Sequence, residues 1–202
     1  MAVYKIEGCQ WNCFPDTTVL INKMDIRDQA ELDSVEKQIT LLRGIQAEQE
    51  TEFVNVDLEF YKSLHRKLFG DLYDWAEELR SINISKKGTV FCRHTELERI
   101  GRLKFERLKT QQYLCGMDDG CFMDELADLY HELNMLHPFR EGNGRTLRLF
   151  ITLLVRYTGR DIDFNLCDND MLMIAAIRAA QGDISMLREA LREIVLGASG
   201  EE

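Results

Sequence analysis

The chain has 202 residues, 45% hydrophobic and 30% charged, with a net charge of −10; that is one domain's length, enough to bury a core. The acidic balance excludes general nucleic-acid binding, which needs a basic face, and no apolar run approaches the roughly 20 residues that cross a bilayer. Met1–Lys5 carries no signal-peptide pattern, so a cytoplasmic protein with no direct nucleic-acid or membrane partner is expected, its six cysteines reduced and mostly small core residues.

In chain order, residues 1–27 read as irregular, with a turn at Pro15-Asp16. Cys9 and Cys13 have no second ligand pair, so no zinc site is expected there. Asp28 and Glu31 have capping-box spacing and open a helix through Leu32, Val35, Ile39 and Leu42, fading over Gly44 to Gln49. Residues 1–50 are thus an N-terminal extension and first helix packed on a core domain of residues 51–202. A second helix starts near Asp57 and uses Phe60, Tyr61, Leu64 and Leu68. Leu72, Tyr73, Trp75, Ala76 and Leu79 predict a further helical piece whose aromatic rings enter the core.

The period then changes. Ile82 and Ile84 alternate with Asn83 and Ser85, Lys86-Lys87-Gly88 marks a turn, and Thr89, Val90, Phe91 and Cys92 favour a strand. A short β-hairpin is expected. Helical patterns resume at 94–113 and at 122–136, the latter with Phe122, Leu126, Leu129, Leu133 and Leu136 on one side, until His137-Pro138 bars continuation. The next helix runs from about Arg145 to Tyr157, where Gly159 stops it; it is apolar on most sides, as a central helix would be. Helices near 168–181 and 184–196 close the fold, and 197–202 read as a frayed tail. The fold class is all-α, a helical bundle with one short hairpin.

Between the helix at 122–136 and the central helix lies His137-Pro138-Phe139-Arg140-Glu141-Gly142-Asn143-Gly144-Arg145-Thr146-Leu147-Arg148. It places a base, a carboxylate able to hold a metal, a Gly-Asn-Gly turn and two arginines at the start of a helix. Backbone N–H groups at a helix N-terminus bind anions, and glycines let phosphate come close. Arg145 and Arg148 are three apart, share a helix face and can hold neighbouring phosphates. Arg140, Arg145 and Arg148 can together form a local basic pocket in an acidic chain. The unperturbed pKa of a histidine lies near neutrality, so His137 is expected to be able to accept a proton at cellular pH. His131-Glu132 with His137 does not make a zinc-protease site, because the histidines are six apart, about 240° around a helix rather than on one face. His65 and His94 show no partner pattern.

These residues match every defined position of the Fic/Doc signature: His, any, Phe, any, Asp or Glu, Gly, Asn, Gly, Arg, two of any, Arg. The chain also resembles that family at Trp75-Ala76 with Ile82-Asn83-Ile84-Ser85, and in its tail from Gly182-Asp183 to Val195. The resemblance implies a Fic-type helical bundle with a β-hairpin flap, and transfer of AMP from ATP to a Ser, Thr or Tyr hydroxyl of a target protein. His137 and Arg145 would be catalytic, His137 as the base that deprotonates the hydroxyl. Gly142, Asn143, Gly144, Arg145 and Arg148 would hold the phosphates, and Glu141 the Mg²⁺ on them. The flap, Ile82, Asn83, Ile84, Ser85, Lys86, Lys87, Gly88, Thr89, Val90 and Phe91, would dock the target segment as an added strand.

Phe139 is expected to pack into the core and fix the loop. Gly144 stands where the related Doc kinases carry lysine, which favours AMP transfer over phosphate transfer. Other members use UTP or CDP-choline, so a different donor is an alternative. Family members are commonly held inactive by a helix bearing Ser or Thr, three of any, Glu, then Gly or Asn. Ser185 to Glu189 comes close, but Ala190 replaces the last position. The resemblance therefore implies control by a small antitoxin protein that supplies the helix, with a self-inhibited chain as the alternative. Some similar toxins modify type II topoisomerases.

Overall fold

The computed structural model describes residues 5–6 and 12–196. Cys9 and the tail 197–202 lie outside the described residues. Helix α1 (Gln29–Glu50) starts where Asp28 accepts the Glu31 N–H at 2.9 Å, and α2 (Leu58–Phe69) where Asp57 accepts that of Phe60. Each cap satisfies a donor that the first helical turn leaves without a partner. Three further helices follow: α3 (Leu97–Thr110), α4 (Asp119–Leu136) and α5 (Asn143–Tyr157). α6 (Asn169–Ala180) and α7 (Ser185–Ile194) close the bundle.

α5 is the central rod. Leu147, Leu149, Phe150, Ile151, Leu153, Leu154 and Val155 are all buried, and it packs on α1, α2 and α4. A helix apolar on most faces is stable only when surrounded, so its N-terminus is held in place by packing along its length. On α7, Leu187, Leu191 and Ile194 face inward as expected.

The structure departs from expectation in several places. α1 does not fade at Gly44; it continues to Glu50, because its second half buries small residues such as Ala47 while Leu41, Leu42 and Ile45 face outward. Residues 70–79 are turns and not a helix. Their rings still enter the core, with Tyr73 and Trp75 stacked at 4.4 Å, but the Glu77 N–H bonds to His65 Nδ1 at 2.9 Å and takes the chain off a helical path.

Residues 1–27 are not wholly irregular. Strand β1 (Lys5–Ile6) pairs antiparallel with β2 (Ile84–Lys86), which pairs with β3 (Thr89–Val90). The hairpin is therefore the centre and one edge of a three-stranded sheet, with order β1-β2-β3. Its two-residue turn, Lys87-Gly88, has positive φ at both positions (49° and 85°), the backbone that suits a right-twisted hairpin. A second small pair joins β4 (Asp161–Ile162) to β5 (Val195–Leu196), so α7 stops at Ile194. Residues 94–96 and 112–114 are short 3-10 turns flanking α3.

Among the described residues, Cys13, Cys92, Cys115 and Cys167 are half-buried and Cys121 exposed, all free thiols. They sit at element boundaries, where side chains reach the surface, and not in the core as expected. No helix among the described residues is long and apolar enough to cross a membrane.

Candidate active site

The motif loop connects the C-terminus of α4 to the N-terminus of α5. His137 ends α4 in the left-handed conformation (φ 45°), and Pro138 prevents return to the helix. The loop then closes on itself. Asn143 Oδ1 accepts the Phe139 N–H and its Nδ2 donates to the Phe139 carbonyl, both at 2.8 Å. Phe139 is fully buried, stacked on His65 at 4.0 Å, as its expected packing role requires. The Asn143 side chain, expected on phosphate, is thus engaged with the loop. What Asn143 offers an anion is its backbone N–H in the first turn of α5.

Gly142 caps α5 with φ 79°. A Cβ there would lie 2.3 Å from the Phe69 ring, so both conformation and space demand glycine. Thr146 N–H donates to the Gly142 carbonyl at 3.1 Å, which leaves the N–H groups of Asn143, Gly144 and Arg145 without acceptors inside the helix. Gly144 is exposed, and nothing lies within 4 Å of where its Cβ would be.

A cleft of about 280 Å³ lies against this helix start. His137, Glu141, Gly142, Gly144, Arg145 and Arg148 all line it. So do Lys86, Lys87, Thr89 and Phe91 of the flap. The expected members that do not line it are Asn143, whose side chain is buried in the loop, Arg140, which is buried and donates to Cys13 Sγ, and the flap positions Ile82, Asn83, Ile84, Ser85, Gly88 and Val90, of which Ile84 is buried and Val90 faces solvent. Leu172, Met173, Ala176 and Ile177 of α6 form an apolar wall. Sequence reasoning missed that wall, because those residues read as ordinary helix core.

His137 sits deep in this cleft. Its Nδ1 lies 3.1 Å from the Asn134 carbonyl. A carbonyl only accepts, so Nδ1 carries the proton and Nε2 is the basic nitrogen. The Phe91 ring stacks on the imidazole with centroids 3.7 Å apart and planes 9° from parallel. Burial lowers the His137 pKa to about 3, opposed by the Asn134 hydrogen bond and aided by Lys86 and Arg80. The ring is neutral at physiological pH, with Nε2 its lone-pair nitrogen.

Glu141 is held with its Oε1 accepting the Gly142 N–H at 3.0 Å. Burial raises its carboxyl pKa; the Gly142 bond opposes this, Glu36 adds to it, and Arg145 and Lys86 oppose it. Burial likewise lowers the Lys86 pKa. Among the described residues no cluster of three or more His, Cys, Asp or Glu side chains could hold a metal by itself. A single desolvated carboxylate beside an anion site does suit Mg²⁺, which takes one or two carboxylates and completes its shell with phosphate oxygens and water.

Three supporting residues gave no sequence signal. Arg80 is 2% exposed and donates to backbone carbonyls of Ile82 (2.6 Å), Cys92 (2.5 Å) and His137 (2.8 Å). It joins both stems of the hairpin to the C-terminal end of α4. His65, fully buried, lies with Nε2 at 3.0 Å from the Glu141 carbonyl and so supports the motif loop from below. Glu36 of α1 pairs with Arg145 at 2.5 Å. The partners of these residues are backbone atoms or lie far along the chain, where local patterns do not point.

A family model described as the Fic/DOC family matches residues 55–155. "Protein adenylyltransferase VbhT" of Bartonella schoenbuchensis is 35% identical over 178 residues, which are 88% of this chain and 37% of VbhT. The chain therefore spans little more than a third of that relative. "Probable protein adenylyltransferase y4lH" of Sinorhizobium fredii is 34% identical over 91% of this chain and 94% of its own length. The crystal structure of BepC from Bartonella tribocorum with bound AMPPNP superposes with a TM-score of 0.86 at 24% identity, covering 92% of this chain and 96% of that one.

Proposed function

This chain belongs to the Fic/DOC family, and on that premise we propose that it is a protein adenylyltransferase, moving AMP from ATP to a hydroxyl of a target protein in the cytoplasm. The observation that carries this reading is the placement of a neutral, correctly protonated His137 in one cleft with the anion site of α5 and two arginines. The relatives' names and the nucleotide-bound BepC support it from outside.

The target hydroxyl reaches His137 beside the flap, and Nε2 takes its proton as the oxygen attacks the α-phosphorus. The new O–P bond forms as the bond to the β-phosphate breaks, and pyrophosphate leaves with its charge met by Arg145 and Arg148. The N–H groups of Asn143, Gly144 and Arg145 hold phosphate oxygens. Glu141 would hold Mg²⁺, which when bound supplies charge neutralisation to the phosphates. The flap aligns the target by strand addition at β3, one edge of its sheet; its edge amides give register whatever the target's sequence. The apolar wall of α6 suits a purine ring.

ATP labelled on the α-phosphate, and not on the γ-phosphate, should mark protein; the reverse would make the chain a kinase. UTP and CDP-choline serve as competing donors in the same assay. His137→Ala should cut labelling by about 10²–10⁴-fold with ATP affinity kept. A type II topoisomerase is the first target to offer.

Regulation follows the same geometry. A groove of about 1240 Å³ adjoins the cleft and shares Arg145 and Arg148 with it; Leu41 and Ile45 of α1, both half or more exposed, line it. An amphipathic helix from a separate antitoxin protein, bringing a glutamate to Arg148, fits that groove. Glu189, the in-chain candidate, is exposed on α7 and makes no ion pair among the described residues, which favours the external inhibitor.

A further inference from the structure

We propose that Glu36, on α1 and outside the matched residues 55–155, is a positioning residue that fixes Arg145 for the leaving phosphates. This rests on the nucleotide-transfer reading above.

The Arg145 guanidinium is gripped on three sides. Nη2 donates to Glu36 Oε1 at 2.5 Å, and Nη1 to Thr40 Oγ1 at 3.2 Å. The Phe69 ring lies beneath it, 4.7 Å from centroid to Cζ. The same ring is the wall that holds Gly142, so Arg145 and the anion site are indexed to one surface. Glu36 is itself fixed, because the Tyr73 hydroxyl donates to Oε2. Burial, then Glu36, raises the Tyr73 pKa, so Tyr73 remains a donor. The Glu36 side chain is 14% exposed and that of Arg145 29%.

A free arginine loses much rotational freedom when it grips phosphate; one already held loses less. Arg145 lines the cleft with His137 and Gly144 while paired to Glu36. The pair therefore does not withdraw the arginine from the site. Two of five guanidinium N–H donors go to α1, and the rest remain to meet phosphate oxygens. The first helix is thus part of the active site.

The test uses the full chain with Glu36→Gln, which keeps the shape and removes the charge. Labelling kcat should fall by about 10- to 100-fold, the cost of a displaced phosphate ligand. Affinity for AMP, which has no β-phosphate to meet Arg145, should not change, while affinity for ATP should weaken. In an Arg145→Ala background the same change should cost nothing further, since it acts through Arg145. Glu36→Asp should restore part of the rate. Unchanged or increased activity, equal loss of AMP binding, or a full additional loss in the Arg145→Ala background each overturns the proposal. If Glu36→Gln does not fold, Tyr73→Phe should lower kcat in the same direction and be equally silent beside Arg145→Ala; a rise or no change overturns it. If the wild-type chain transfers no AMP, the functional reading fails by itself. The side-chain NMR signal of Arg145 Nε–H then decides, sharp in wild type and broadened in Glu36→Gln if the proposal holds; an unchanged signal overturns it.

Discussion

The two sides of the cleft are built in opposite ways. The floor, from His137 to the first turn of α5, is buried and cross-braced: Asn143 closes the loop, His65 supports Glu141 from beneath and Phe69 presses on Gly142. The roof is a hairpin of two- and three-residue strands with an exposed Lys87-Gly88 tip and Val90 in solvent. The floor is braced by side chains along its whole length, whereas the roof is held at its stems by Arg80 and ends in an exposed tip. The difference teaches that two walls of one cleft can be secured by different means, one by packing and the other by a single clamp at its base.

The floor should break hardest at Gly142. Gly142→Ala meets the left-handed backbone cost of about 1–2 kcal/mol and an overpacking cost of about 1–3 kcal/mol against Phe69. Urea melts should show a loss of that combined order, with transfer abolished. Asn143→Ala comes next. It leaves the buried Phe139 N–H and carbonyl unpaired, a loss of about 1–3 kcal/mol, and should lower kcat while the flap's affinity for target is kept.

Acid should sharpen the contrast. His65 and His137, both in or under the floor, have pKa values lowered from 6.5 to about 3, first by burial. Between those values the unfolded chain binds more protons than the folded one. Stability is full above about 6.5 and is lost as pH falls towards 3. The same shift should carry the acid limb of kcat/KM below the 6.5 of an ordinary histidine. Replacing both histidines should flatten the stability profile. The smallest effect belongs to the roof: Val90→Lys, at a 72% exposed position, should change stability by less than about 0.5 kcal/mol. Its mark should be a raised KM for target protein alone.

Most of the bundle was legible from spacing. Asp28 and Asp57 announced their helices, and the unbroken apolar run after Arg145 announced the central one. The motif placed His137, Glu141 and both arginines in one cleft. Residues 70–79 misled, because Tyr73 and Trp75 have the composition of a buried helix, whereas a distant side chain, His65, decides the local path. Arg140 misled in the same manner: its charge suggested the pocket, but its place in the loop turns it towards the N-terminal segment. Glu36 was invisible for a third reason. It lies 109 residues from Arg145, and on α1 it reads as one more solvated charge.

The Arg80 clamp bears on how such a protein can change over generations. It grips carbonyl oxygens of Ile82, Cys92 and His137, atoms that every amino acid supplies. Substitutions at Ile82 and Cys92, or across the flap between them, leave those acceptors in place. The hairpin's side chains can therefore change while His137 keeps its seat. The anchor is indifferent to sequence, so one wall of the cleft can vary while the other keeps its geometry.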